Sequence, residues 1–84
     1  MKITFKLFAS LTDYLPTQDK YTNVVELDVA PGTTIGQVVE QHRLPAKWVH
    51  LVLVNGTYVA PEQRWAQVLR EGDVLAIWPP IAGG

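Results

Sequence analysis

Only one stretch of this chain carries a helical stripe over two full turns, and that limits what the rest can be. Ile35, Val38, Val39 and His42 fall at i, i+3, i+4 and i+7, a single stripe on one helical face. Thr34, followed three residues later by Gln37, has the form of a capping box that opens a helix. Pro31-Gly32 stops whatever precedes it, and Pro45 marks its end. One short helix cannot bury its own stripe, so the remaining residues must supply a surface for it. Gly36 inside the helix costs about 1 kcal/mol against alanine, which points to close packing at that position.

Period two dominates elsewhere. Residues 2–8 predict a first strand, with Ile3, Phe5 and Leu7 on one face and Thr4, Lys6 and Phe8 on the other. Residues 9–15 suit a short helical turn, and 16–23, polar and rich in turn formers, suit a loop. Residues 24–29 predict a second strand that turns Val25, Leu27 and Val29 inward and Glu26 and Asp28 to water. After the helix, 51–54 is continuously apolar, and Asn55-Gly56 before Thr57, Tyr58 and Val59 is a strong type I′ hairpin signal. Pro61 breaks that hairpin, and Trp65, Val68 and Leu69 predict a short helical segment. Glu71-Gly72-Asp73 turns the chain into a last strand over 74–78, closed by Pro79-Pro80.

The order of elements predicts an α+β fold, a mixed sheet packed on one main helix plus a short helical segment. Hairpin first and helix crossover second is the ubiquitin-like, β-grasp order. A right-handed crossover through the helix would set the next long strand parallel to a neighbour in the same sheet. The chain has 84 residues, which suits one domain over 1–78 and an extended, flexible C-terminal tail over 79–84. A domain this small buries only about 60–65% of its unfolded surface, so it encloses nothing large.

Composition removes several functions. A net charge of −1 gives no basic field for a phosphate backbone, so no nucleic-acid partner is expected. With no Cys there is no disulfide framework, thiolate metal site or thiol nucleophile. No Ser-His-Asp arrangement can be argued from spacing. His42 and His50, the only histidines, make a poor metal motif. His42 is expected as the half-buried edge of the helix stripe, and His50 as the residue leading into a strand. The N-terminus alternates charge with hydrophobe, unlike a signal peptide, and no run approaches the ~20 apolar residues of a membrane span, so a cytoplasmic protein without a membrane partner is expected.

The C-terminus holds the candidate site. Trp78-Pro79-Pro80-Ile81-Ala82-Gly83-Gly84 follows the last strand, with no charged side chain beyond Asp73. Two prolines cannot donate to a ladder and favour an extended exit. Six extended residues span about 20 Å, against a radius of gyration of about 12 Å for such a domain, so the tip can reach deep into a partner. Gly83 and Gly84, lacking Cβ, can thread a channel closed to other residues.

In these residues the chain resembles the small sulfur-carrier proteins of the β-grasp fold (the MoaD and ThiS type), above all the small subunit of molybdopterin synthase. The resemblance spans nearly the whole chain. It is carried by Phe8-Ala9-Ser10-Leu11, Val54-Asn55-Gly56-Thr57-Tyr58-Val59, Leu69-Arg70-Glu71-Gly72-Asp73-Val74 and, most specifically, the segment from Trp78 to Gly84. Family tails commonly read aromatic-Pro-Pro-Val-x-Gly-Gly, so Trp78 and Ile81 are conservative departures. The related thiamine-pathway carrier shares the Gly-Gly end but usually lacks the double proline.

The resemblance implies a chemistry for Gly84. A free carboxylate is a poor electrophile, and in the family an ATP-dependent adenylyltransferase akin to ubiquitin-activating enzymes converts it to an acyl adenylate. Sulfur from a donor protein then gives a thiocarboxylate, which donates sulfur to a cyclic pterin precursor inside the large synthase subunit, a heterotetramer being expected. The chain would thus be a non-catalytic, sulfur-donating subunit that binds no cofactor, the ATP and Mg belonging to the activating partner. If Leu75 and Ile77 face the helix, Val74, Ala76 and Trp78 face the other side of the sheet, as does Phe8. The family docks through such an apolar face, and Phe8, Tyr58, Trp78, Pro79, Pro80, Ile81 and Ala82 match its partner-binding positions. Alternatives are a carrier for thiamine, a tungsten cofactor or another pathway, a ubiquitin-like protein modifier, or an interaction module with an inert tail.

Overall fold

The computed structural model describes residues 1–16 and 22–80. Five strands, β1 (Lys2–Leu7), β2 (Val24–Asp28), β3 (Leu51–Val54), β4 (Thr57–Tyr58) and β5 (Val74–Trp78), form one sheet in the order β2-β1-β5-β3-β4. One helix, α1 (Ile35–Gln41), lies between β2 and β3 in sequence, and short 3-10 turns occupy Ala9–Tyr14, Ala46–Trp48 and Pro61–Gln63. This is the expected mixed sheet on one main helix. The period-two alternation sets the core: Ile3, Phe5 and Leu7 of β1, Leu75 and Ile77 of β5 and Val52 and Val54 of β3 are buried together with Ile35 and Val38 of α1.

The capping box at Thr34 forms as predicted, with Gln37 N–H donating to Thr34 Oγ1 and Thr34 N–H donating to Gln37 Oε1. The other exposed donors of the first turn find tertiary acceptors. Ile35 N–H donates to the Gln67 carbonyl at 3.3 Å and Gly36 N–H to the Arg64 carbonyl at 2.8 Å. That explains the misplaced segment. The helix expected around Trp65, Val68 and Leu69 is instead a 3-10 turn at Pro61–Gln63, with Pro61 at its start, followed by a turn over 64–66 and then by non-helical chain. Val68 bridges Thr34, and Leu69 N–H donates to the Thr33 carbonyl. Residues 64–69 therefore form a strap across the N-terminus of α1, and helical hydrogen bonding would have consumed the carbonyls that α1 needs.

Two further expectations change. β3 is not parallel to a neighbour, because it runs antiparallel to both β4 and β5, and the parallel pair is β1 with β5. The crossover does leave β3 pointing the same way as β2, but the chain inserts β1 and β5 between them. The first strand stops at Leu7, since Ala9 adopts φ 52 and turns the chain, and the second stops at Asp28.

Gly36 supplies the close packing its position suggested. A Cβ built there would fall inside the Trp65 indole, so the ring lies flat against the helix backbone. The hairpin turn is of type I′, with φ 53 at Asn55 and 81 at Gly56. Asn55 also works across the sheet end: Nδ2 donates to Asp73 Oδ1 at 2.9 Å, and Val74 N–H donates to Asn55 Oδ1 at 2.9 Å. Asp73 Oδ2 in turn accepts from Arg70 N–H at 2.8 Å, so one residue ties the hairpin tip to the turn that launches β5.

Gly36→Ala is expected to destabilise the fold by about 1–3 kcal/mol in urea unfolding through the clash with Trp65, despite alanine's better helix propensity. In a Trp65→Ala background the same substitution should become neutral or stabilising by up to about 1 kcal/mol, and an unchanged sign would remove the clash as the cause. Asn55→Ala should cost about 2 kcal/mol, from the left-handed backbone and two lost hydrogen bonds, whereas Asn55→Gly, which keeps the conformation, should cost roughly half of that.

Candidate functional site

The sheet has a second face, and the pairing register shows what it carries. Lys6 lies opposite Val24 on one side and Ala76 on the other, Ala76 lies opposite Leu53, and Leu53 opposite Tyr58. One row thus crosses all five strands on the side away from α1. The next row towards the C-terminus contains Leu51 opposite Trp78, with Phe8 alongside. Valine, alanine, leucine and aromatics predominate, and Lys6 is the single charge in the two rows.

Phe8 reaches Trp78 because of the backbone at the end of β1. Its N–H donates to the Ile77 carbonyl at 3.2 Å, which carries the ladder one residue past the strand before Ala9 turns away. The Phe8 and Trp78 rings stack with centroids 4.1 Å apart and an interplanar angle of 6°. Such a pair contributes about 0.5–1.5 kcal/mol beyond the area it buries. Both residues are half-buried, so the stack is packed in part and still meets solvent. Trp65, which could have covered this face, lies against α1 instead.

Trp78 is also where β5 ends. His50 N–H donates to the Trp78 carbonyl at 3.1 Å, and Pro79 and Pro80, both half-buried, carry no further strand. The structure therefore brings Phe8, Trp78, Pro79 and Pro80 together, with Tyr58, 54% exposed, at the far edge of the same face. Ile81, Ala82, Gly83 and Gly84 lie outside the described residues.

The histidines sit as their spacing predicted. His42 is half-buried at the end of α1, its Nδ1–H donating to the Val38 carbonyl at 2.8 Å and its ring 4.9 Å from Phe5. His50 is exposed immediately before β3. Sequence reasoning missed Arg64. It is 8% exposed, and Nε, Nη1 and Nη2 donate to the carbonyls of Val59, Val49 and His50 at 3.2, 3.1 and 3.0 Å. No local signal in the sequence marks it. Among the described residues no helix is long and apolar enough to cross a membrane.

Known structures share this architecture. SAMP1 from Haloferax volcanii is 26% identical, covers all of both chains and superposes with a TM-score of 0.68. The Pyrococcus furiosus protein assigned as molybdopterin converting factor, subunit 1, is 20% identical over 95% of this chain and 98% of its own, with a TM-score of 0.66. A chain from the Helicobacter pylori complex of subunits 1 and 2 of molybdopterin-converting factor is 15% identical over all of both chains, with a TM-score of 0.59. At these identities the last two show the fold. No curated protein matches the chain. The Mut7-C ubiquitin family model matches residues 1–82, nearly the whole length. The ubiquitin-like order expected from the sequence thus holds, the match takes in the segments that carried the resemblance to the β-grasp sulfur carriers as far as Ala82, and the chain belongs to the Mut7-C ubiquitin family.

Proposed function

We propose that the protein is a sulfur carrier of the molybdopterin-synthase small-subunit type. Gly84 bears the reacting carboxylate, and the Phe8–Trp78 face seats the partner. The observation that carries the reading is the aromatic stack at the root of an uncharged Pro-Pro-Ile-Ala-Gly-Gly segment, on a sheet face with little charge. A half-exposed aromatic pair fixed by backbone hydrogen bonds is a pre-organised anchor, and it lies where a partner must sit to receive the last residues. The subunit complex in which the Helicobacter pylori protein was solved supports a large-subunit partner.

The chemistry follows from the weakness of a carboxylate as an electrophile. An adenylyltransferase partner, using ATP and Mg, lets a Gly84 carboxylate oxygen attack the α-phosphorus, and pyrophosphate leaves. A donor protein's persulfide then attacks the acyl carbon through its outer sulfur and expels AMP. A second thiol reduces the resulting acyl disulfide and frees the thiocarboxylate, which gives its sulfur to a cyclic pterin precursor in the large subunit. Gly83 lets the end thread the partner's channel. The likeness to SAMP1, the small archaeal modifier protein 1 of Haloferax volcanii, at 26% identity over the full chain, supports a second reading in which the same adenylate ends as an amide on a protein lysine.

Incubation with ATP, a cognate adenylyltransferase and a sulfur donor should replace one oxygen by sulfur at Gly84, read by intact mass. An unchanged mass where a control carrier is thiolated would leave only an inert interaction module. Conjugates with lysine-bearing proteins in place of thiocarboxylate would select the modifier reading. Trp78→Ala is expected to weaken binding to the large synthase subunit by about tenfold or more in calorimetry while unfolding stays cooperative, as befits a half-buried anchor. Equal affinity would show that the partner sits elsewhere.

A further inference from the structure

The molecule has a second surface, set away from the Phe8–Trp78 stack. A cleft of about 400 Å³ opens between α1, the turn at Ala46–Trp48 and the strap after Pro61, lined among others by Val39, Ala46, Val49, Tyr58, Arg64 and Trp65. Its floor is aliphatic, and its rim carries two aromatics that face water, Tyr58 at 54% and Trp65 at 58% exposure.

Two features specify what would fill it. The first is Arg64. A guanidinium has five N–H donors, and the three carbonyl bonds use three, which leaves one on each η nitrogen without a partner among the described residues. The only ion pair among those residues is Met1 with Asp28, so the cation borders an apolar cleft with no carboxylate to neutralise it. A carboxylate, which can accept from both η nitrogens, is the group that suits such a cation.

The second feature is a free sheet edge. β4 ends the strand order, and the type I′ turn makes Val54 and Thr57 the hydrogen-bonded pair next to it. Val59 N–H donates to the Val52 carbonyl, so the intervening Leu53–Tyr58 pair is of the non-bonded kind, and the N–H and C=O of Tyr58 point outward at the mouth of the cleft. A small organic acid has no use for that edge, but an extended peptide does.

We propose that this cleft docks an extended acidic peptide segment of a partner protein. Its backbone pairs with Tyr58, a branched apolar side chain enters between Val39, Val49 and Trp65, and a carboxylate two positions away, on the same side of the added strand, bonds the free N–H groups of Arg64. The site uses no residue of the tail and shares only Tyr58, at the sheet edge, with the Phe8–Trp78 face, so it stands or falls apart from sulfur transfer.

The probe is acetyl-Ser-Leu-Ser-Glu-Ser-Leu-Ser-amide, which offers leucine on either side of the glutamate and so covers both chain directions. Titration into the labelled protein should give saturable shifts at the Tyr58 amide and the Trp65 indole N–H. The glutamine analogue should bind about tenfold more weakly or worse, the loss expected for a charge-assisted pair. Trp65→Ala, an exposed change, should reduce affinity with the fold retained. Absence of saturable shifts, equal binding of the glutamine peptide, shifts confined to the Phe8–Trp78 face, or binding of isocaproate as tight as that of the peptide would each overturn the proposal.

Discussion

The arrangement rests on one buried cation. Between the end of α1 and the start of β3 the chain forms only a 3-10 turn at Ala46–Trp48, and beyond β4 it leaves the sheet after Val59, so the carbonyls of Val49, His50 and Val59 have no ladder to join. Buried acceptors without donors are costly, and the Arg64 guanidinium supplies all three from one side chain. The consequence travels. With its carbonyl held by Arg64, His50 presents its N–H to the Trp78 carbonyl, so the guanidinium and the point at which β5 ends are two hydrogen bonds apart. Position and direction at the root of the C-terminal segment are thereby set from inside the domain.

What the sequence made legible was whatever local chemistry decides. Thr34 and Gln37 cap a helix because their side chains reach only a few atoms along the chain, and Asn55-Gly56 takes the type I′ turn because those residues tolerate positive φ. The alternation in β1 and β5 named the core, since burial on one face is what alternation means. The strap at 64–69 was misread for the converse reason. Its apolar spacing fits a helix, yet its carbonyls at Arg64 and Gln67 are needed by the N-terminus of α1, some thirty residues earlier. No window of sequence holds both halves of that exchange. Strand partners were hidden in the same way, because pairing β1 with β5 is a decision between the ends of the chain.

For the candidate site the division is similar. Alternation placed Phe8 and Trp78 on one face, but their stacking depends on β1 and β5 being parallel neighbours in a register that sets Leu7 opposite Ile77. Ala9, left-handed at φ 52, matters here too: by turning the chain immediately after Phe8 it keeps the following residues off the ring. A non-glycine residue in that region costs about 1–2 kcal/mol, a strain that the surrounding packing must hold.

The two surfaces differ in kind, and the difference follows from how each is built. The Phe8–Trp78 face belongs to paired strands, with its backbone groups spent on the ladder, so it can offer a partner only side-chain area and shape. The cleft beside Arg64 belongs to an irregular strap and a two-residue edge strand, where backbone donors and acceptors are still to be had and where one cation already lies within the fold. Area without directional bonds tolerates a range of partners, whereas outward N–H and C=O groups combined with a fixed guanidinium demand a particular spacing. Under the proposed function, a carrier passed between enzymes gains from meeting them through two surfaces that share only Tyr58, because one can be occupied while the other changes hands.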